Sequence, residues 1–156
     1  MTPNKDGLRV GPIWLEPGVS YGHFATFLYA SLVTIGIVVF VNISQPYILV
    51  EKLGVLAGAE GTLTGQLVVV SELTVMLSIG LVGIMSDRIG RRQIFAMGLI
   101  LFGASYLLYT TVETTPELFA FRIVYALGVA CSTAMLGTII NDYPQELSRG
   151  KLIAFA

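Results

Sequence analysis

Four stretches of about twenty residues or more carry almost no charge, and nothing else in the sequence limits the fold as much. Residues 24–50 have no charged side chain, 63–86 have only Glu72, 94–112 have none, and 118–140 have only Arg122. A hydrocarbon core about 30 Å thick takes roughly 20 helical residues to cross. Helices in a soluble bundle keep one polar face, whereas "FLYASLVTIGIVVFV" and "MGLILFGASYLLY" are apolar on nearly every side. The charges gather at the borders, at Glu51 and Lys52, from Asp87 to Arg92, and around Glu113, so that a chain 54% hydrophobic and 12% charged is a membrane composition. The expectation is an all-α membrane protein, a bundle of four transmembrane helices with the start of a fifth from about residue 150. A half-inserted fifth segment would leave backbone polar groups unpaired in lipid, so a chain stopping at Ala156 is expected to be the front part of a longer protein.

Lysine and arginine placement sets the expected orientation. Lys5 and Arg9 precede the first span, Arg88, Arg91 and Arg92 follow the second, and Arg149 and Lys151 follow the fourth, while the opposite turns hold Lys52 alone. Seven against one puts the amino terminus in the cytoplasm, with a partly disordered tail over residues 1–23, and the membrane is expected to be the plasma (inner) membrane. That tail is no signal peptide, because the first apolar stretch is too long and lacks a small-residue cleavage site.

Chemistry-bearing motifs are few. The lone Cys131 lies within a span and reads as a small packing residue, and His23 sits at the membrane edge. No metal signature, phosphate loop, nucleophile elbow or nucleic-acid-binding basic face occurs, so neither an enzyme nor a bound cofactor is expected.

The polar residues inside the spans are more telling. Ser31, Thr34, Asn42 and Gln45 fall within roughly 80° of one another on the first helix, at about 100° per residue. Such a stripe faces either a water-filled cavity or a hydrogen-bonding neighbour helix. Pro46 should bend this helix near its outer end. Glu72 lies roughly 13 Å inside the second span by helical rise, where an ionised, isolated carboxylate is costly. It is expected to be protonated, paired with Arg122, or facing water as a proton-coupling group. Gly65 and Gly83 share its direction within about 20°, which suggests a close helix contact there. Tyr106 and Tyr109 read as part of an interfacial aromatic belt.

Between the second and third spans stands "GIMSDRIGRR". Topology alone accounts for its arginines, but not for its glycines or for Asp87, an acid placed at the wrong end of its helix dipole. Gly83, Asp87, Arg88, Gly90, Arg91 and Arg92 resemble the G-x-x-x-D-R-x-G-R-R loop of the major facilitator superfamily, at the place where that family carries it. "RIVYALGVA" is similar to the family's R-x-x-x-G-x-G-x-A pattern in span four through Arg122, Gly128 and Ala130, with Ala126 where a glycine is usual. "NDYPQELSRGK" resembles the loop that follows, through Asp142, Arg149, Gly150 and Lys151.

The resemblance implies part of a twelve-helix secondary transporter with two six-helix halves, moving a small solute by alternating access. It implies that Asp87 latches an inner gate against the missing C-terminal half, and that Asp142 pairs with Arg88 or Arg91. Ion coupling, with protons acting through Glu72, is the favoured form, and a facilitative uniporter the alternative within transport. Outside transport, the alternative is a four-helix membrane scaffold or an oligomeric small membrane protein.

Overall fold

The structure, a computed structural model, describes residues 7–56, 58–148 and 150. Lys5, Arg149, Lys151 and the body of the expected fifth span lie outside the described residues. Helix α1 covers Tyr21–Tyr47, α2 Glu60–Ile89, α3 Arg91–Thr110 and α4 Thr115–Asp142. With the π-helical turn Ile48–Lys52 that continues α1, all four are long and apolar enough to cross a membrane.

Local chemistry explains the borders. Ser20 caps α1 in a reciprocal box with His23, the Ser20 hydroxyl accepting from the His23 N–H and the imidazole Nδ1 accepting from the Ser20 N–H. Thr114 and Glu117 form the same device at α4, with Pro116 in its first turn. Pro46 removes a backbone donor close to the end of α1, and the hydrogen-bond register loosens into the π turn that follows. Gly90 joins α2 to α3 in one residue at φ 109° and ψ 140°, a conformation open to glycine and strained for any other residue.

α4 is the centre of the bundle, packed along both α3 and α2, with α1 making lighter contact. At the α3–α4 crossing the backbones touch. A Cβ on Gly128 would meet the Gly98 carbonyl oxygen at 3.1 Å, and one on Gly98 would meet the Cys131 Cβ at 3.0 Å. The buried cluster of Leu67, Phe102, Tyr109, Leu118 and Tyr125 fills the half of the bundle away from Gly90. Val82, Ile94, Cys131 and Met135 fill the half near it. Outward faces of α1 and α2 remain apolar, with Leu32, Ile43, Met76 and Leu77 each more than 70% exposed, as lipid or further helices require.

Part of the tail is ordered: β1 (Arg9–Val10) and β2 (Ile13–Trp14) form an antiparallel hairpin, turned by Gly11 at φ 56° before Pro12. One sequence expectation fails here. The face of α2 bearing Gly65 and Gly83 makes no close helix contact, because a Cβ at either glycine meets nothing within 4 Å among the described residues. The helix glycines that do carry a close approach between helices are Gly98 and Gly128.

Candidate functional site

Two polar constellations interrupt the apolar bundle. The first is at the end where α2 turns into α3. Arg91 opens α3, Asp142 closes α4, and the Arg91 guanidinium is ion-paired to the Asp142 carboxylate. Each residue is misplaced on its own helix, a cation at an amino end and an anion at a carboxyl end, so the pair offsets both dipole penalties. Both side chains are about half exposed (48% and 49%), which keeps the contact weak and reversible. Asp87, Arg88 and Arg92 are exposed, and their side chains make no hydrogen bond or ion pair among the described residues.

The hairpin braces the same end. The Glu16 N–H donates to the Tyr143 carbonyl at 2.9 Å, the Gln145 N–H to the Trp14 carbonyl at 2.9 Å, and the Trp14 N–H to the Ser148 hydroxyl at 3.0 Å. Leu15 and Ile13 are buried beside Phe24 of α1. The segment following α4 is thereby tied to the chain preceding α1.

The second constellation lies within the spans, around Arg122, which is 2% exposed. Its Nε donates to the Ser71 hydroxyl at 2.6 Å, its Nη2 donates to the Asn42 side-chain oxygen at 2.7 Å, and its guanidinium carbon stands 4.7 Å from the centre of the Tyr125 ring. Asn42 in turn donates to the Val38 carbonyl, which also accepts from the Tyr125 hydroxyl. Three helices are thus joined through one cation. No carboxylate touches it among the described residues, and Nη1 is buried with no partner. A buried donor left unmatched costs about 1–3 kcal/mol, more where charge is involved.

Among the described residues the Glu72–Arg122 pair, one of the alternatives for Glu72, is therefore not formed. Glu72 is exposed on the outer side of α2, and its neighbour Ser71 faces inward and takes the contact. One position along a helix turns a side chain by about 100°, enough to separate the two. The polar stripe of α1 is also divided. Ser31 donates to its own helix at the Phe27 carbonyl, and it and Thr34, whose buried hydroxyl has no partner among the described residues, border an apolar cavity of about 290 Å³ between α1 and α4. Gln45, only 3% exposed and with neither amide atom bonded among the described residues, borders a second cavity of about 440 Å³ with Phe40, Tyr106, Tyr109 and Lys52. Tyr109 is buried and lines the bundle's interior rather than a lipid belt, while the half-buried Tyr106 stacks on the exposed Phe40 with ring centres 5.7 Å apart.

Ser71, Tyr125 and Tyr109 escaped sequence reasoning because their value lies in contacts across helices, which no local pattern marks. The hairpin had a local signal, Gly-Pro between the two-residue segments 9–10 and 13–14.

Four spanning helices, apolar outside and polar at chosen points inside, define a multi-pass integral membrane protein. Residues 22–156 match the Major Facilitator Superfamily, and the chain belongs to that family, whose members are transporters of small molecules. It is 26% identical over 128 residues to the magnetosome protein MamZ of Paramagnetospirillum magneticum, covering 70% of this chain and 18% of the relative. It is 27% identical over 143 residues to MamZ of Magnetospirillum gryphiswaldense, covering 78% and 20%. Against the "Putative metabolite transport protein YyaJ" of Bacillus subtilis it is 29% identical over 85 residues, covering 54% and 19%. The chain spans about a fifth of the length of these relatives. No solved structure matches it.

Proposed function

We propose that this chain is the amino-terminal part of a secondary transporter that carries a small solute across the plasma membrane by alternating access, with its amino terminus and the Asp87–Arg92 elbow in the cytoplasm. The observation that carries the reading is the Arg91–Asp142 pair. It joins the α2–α3 elbow to the end of α4 by a contact that is half in water and easily broken, as a gate that opens and closes requires. Asp87, exposed and unpartnered among the described residues, is the latch toward an opposing half that this chain does not include. Its negative charge at the carboxyl end of α2 is unfavourable locally, and the positive end of a helix in that half offsets it. The lysine and arginine asymmetry supports the orientation. The name of YyaJ supports metabolite transport in general.

Coupling to protons runs through Glu72 in this reading. A charged residue midway along an apolar face is costly in lipid, which makes it a functional candidate by default. The test is uptake by the complete protein in proteoliposomes, against a panel of labelled solutes. Asp87→Asn and Asp142→Asn should each reduce uptake at least tenfold without changing the amount of folded protein. Uptake unchanged by both would remove the gate, and no flux of any solute in the unaltered protein would favour the membrane scaffold instead. Glu72→Gln should abolish accumulation driven by a pH gradient, and accumulation at the unaltered level would remove the coupling.

A further inference from the structure

The end of α1 away from Gly90 is loosely built. Pro46 has no N–H to give the carbonyl four residues back. The Ile48 N–H is shared between the Ser44 and Gln45 carbonyls, the Leu53 N–H reaches back five residues to the Ile48 carbonyl at 3.2 Å, and the Val55 N–H donates to the Leu49 carbonyl at 3.0 Å. Gly54 follows at φ 60°. Residues 46–53 are therefore a short helical piece between a proline, where helices bend, and a glycine, which turns freely.

Two contacts hold this piece down and one buried group works against it. The Lys52 ammonium donates to the carbonyl of Thr110, the last residue of α3, where carbonyls lack helical partners and the helix dipole favours a cation. That bond is exposed, so it is readily released. Leu49 is fully buried in the cluster with Val41, Tyr109 and Leu118. Gln45, four residues before Leu49 and on roughly the same face, is 3% exposed with neither amide atom bonded among the described residues. An amide sealed from water and from protein partners alike favours any movement that wets it. Gln45, Lys52 and Thr110 all belong to the lining of the cavity of about 440 Å³, whose walls are Phe40 and Val41 of α1 and Tyr106 and Tyr109 of α3. Space for water thus lies directly beside the sealed amide.

We infer that residues 46–53 form a hinged lid over Gln45, latched by Lys52 on the carboxyl end of α3, and that lifting it admits water to the Gln45 amide from the side remote from Gly90. The latch and the buried core contact of Leu49 favour the closed position, and the unsatisfied amide of Gln45 favours the open one. Substitutions at Lys52 and Gln45 therefore act in opposite directions on one equilibrium. The inference goes beyond the transport reading and stands without it, since these contributions belong to α1 and α3 alone. Within that reading, the end opposite the Arg91–Asp142 pair has a moving part of its own, released by different residues.

The experiment follows amide hydrogen exchange in the complete protein, in detergent, at Leu53 and Val55, whose bonds to the Ile48 and Leu49 carbonyls break when the lid lifts. Lys52→Met removes the latch and should speed exchange at both amides at least tenfold. Lys52→Arg keeps a cationic donor and should stay within about threefold of the unaltered rate. Gln45→Leu removes the sealed amide and should slow exchange at least threefold, and Pro46→Ala, which restores a backbone donor, should slow it too. Amides of α2 and α4 should keep their rates in all four variants, because the movement is local. Unaltered exchange in Lys52→Met, or exchange in Gln45→Leu at or above the unaltered rate, would overturn the inference. So would an acceleration in Lys52→Met shared by α2 and α4, which would make Lys52 a support of the whole bundle. Should Gln45→Leu fail to fold, the opposite shifts of Lys52→Met and Pro46→Ala carry the test. Proteoliposome uptake separates the two readings: these shifts without flux of any solute leave the lid standing and sink transport alone.

Discussion

A guanidinium offers five N–H donors, and Arg122 commits one from Nε and one from Nη2 to neighbours on two other helices. In lipid such interhelical bonds are worth about 0.6–2 kcal/mol each, so a double-mutant cycle between Asn42→Ala and Arg122→Gln should give a coupling of about 1–2 kcal/mol in unfolding free energy. A coupling near zero would mean that the bond adds nothing to the fold. Gly90 makes a sharper case, because its φ of 109° and ψ of 140° lie where only glycine is at ease. Gly90→Ala should lower stability by about 1–3 kcal/mol, read as a fall in the denaturant midpoint of the purified protein, and no fall would show that the elbow relaxes to another geometry. Residue identity conveyed some of this in advance. An arginine inside an apolar run announces a costly group that must be answered, so Arg122 was visible as a site. Of its partners, Asn42 was legible in the polar stripe of α1 but Ser71 was not, since Ser71 and Glu72 are neighbours in sequence and only the rotation of α2 about its axis decides which of them faces inward.

At the scale of elements, the helices follow from hydrophobic length and from their caps, and these are written locally in the chain. Packing between helices is not, because every span has glycines and several have the small-residue spacing that allows close approach. Gly83 and Gly98 divide on this point. The position of Gly83 is open, whereas a Cβ on Gly98 would press on the Ser132 hydroxyl and the Cys131 side chain. Gly83→Ala should therefore leave stability within about 0.5 kcal/mol, as at other open positions. Gly98→Val should cost about 1–3 kcal/mol, the usual penalty for overpacking. Parallel thermal unfolding of the two variants checks this, and equal losses would contradict the α3–α4 crossing described above. If Gly83→Ala stops uptake by the complete protein while stability holds, the open face of α2 is where the opposing half docks.

For the whole molecule, the question is what moves together. The Arg91–Asp142 pair and the hairpin both act on the end of α4, the first by charge and the second by backbone hydrogen bonds. An exposed ion pair contributes about 0–1 kcal/mol and weakens as salt shortens the screening length to about 10 Å at 0.1 M. The hairpin's bonds are indifferent to salt. If α4 is to leave Arg91 during a conformational cycle, residues 143–148 carry the hairpin with them, and through Phe24 the start of α1 follows. Trp14→Pro removes the donor to Ser148 and strains β2, which should uncouple the two ends without touching the ion pair. Hydrogen exchange in the complete protein is the measurement. The Gln145 amide, which donates to the Trp14 carbonyl, should exchange at least tenfold faster in the variant, while amides of α2 and α3 keep their protection. An unchanged rate at Gln145 would show that the hairpin rides on the bundle without bracing it. A faster rate spread through all four helices would show instead that the tail is part of the bundle's global stability.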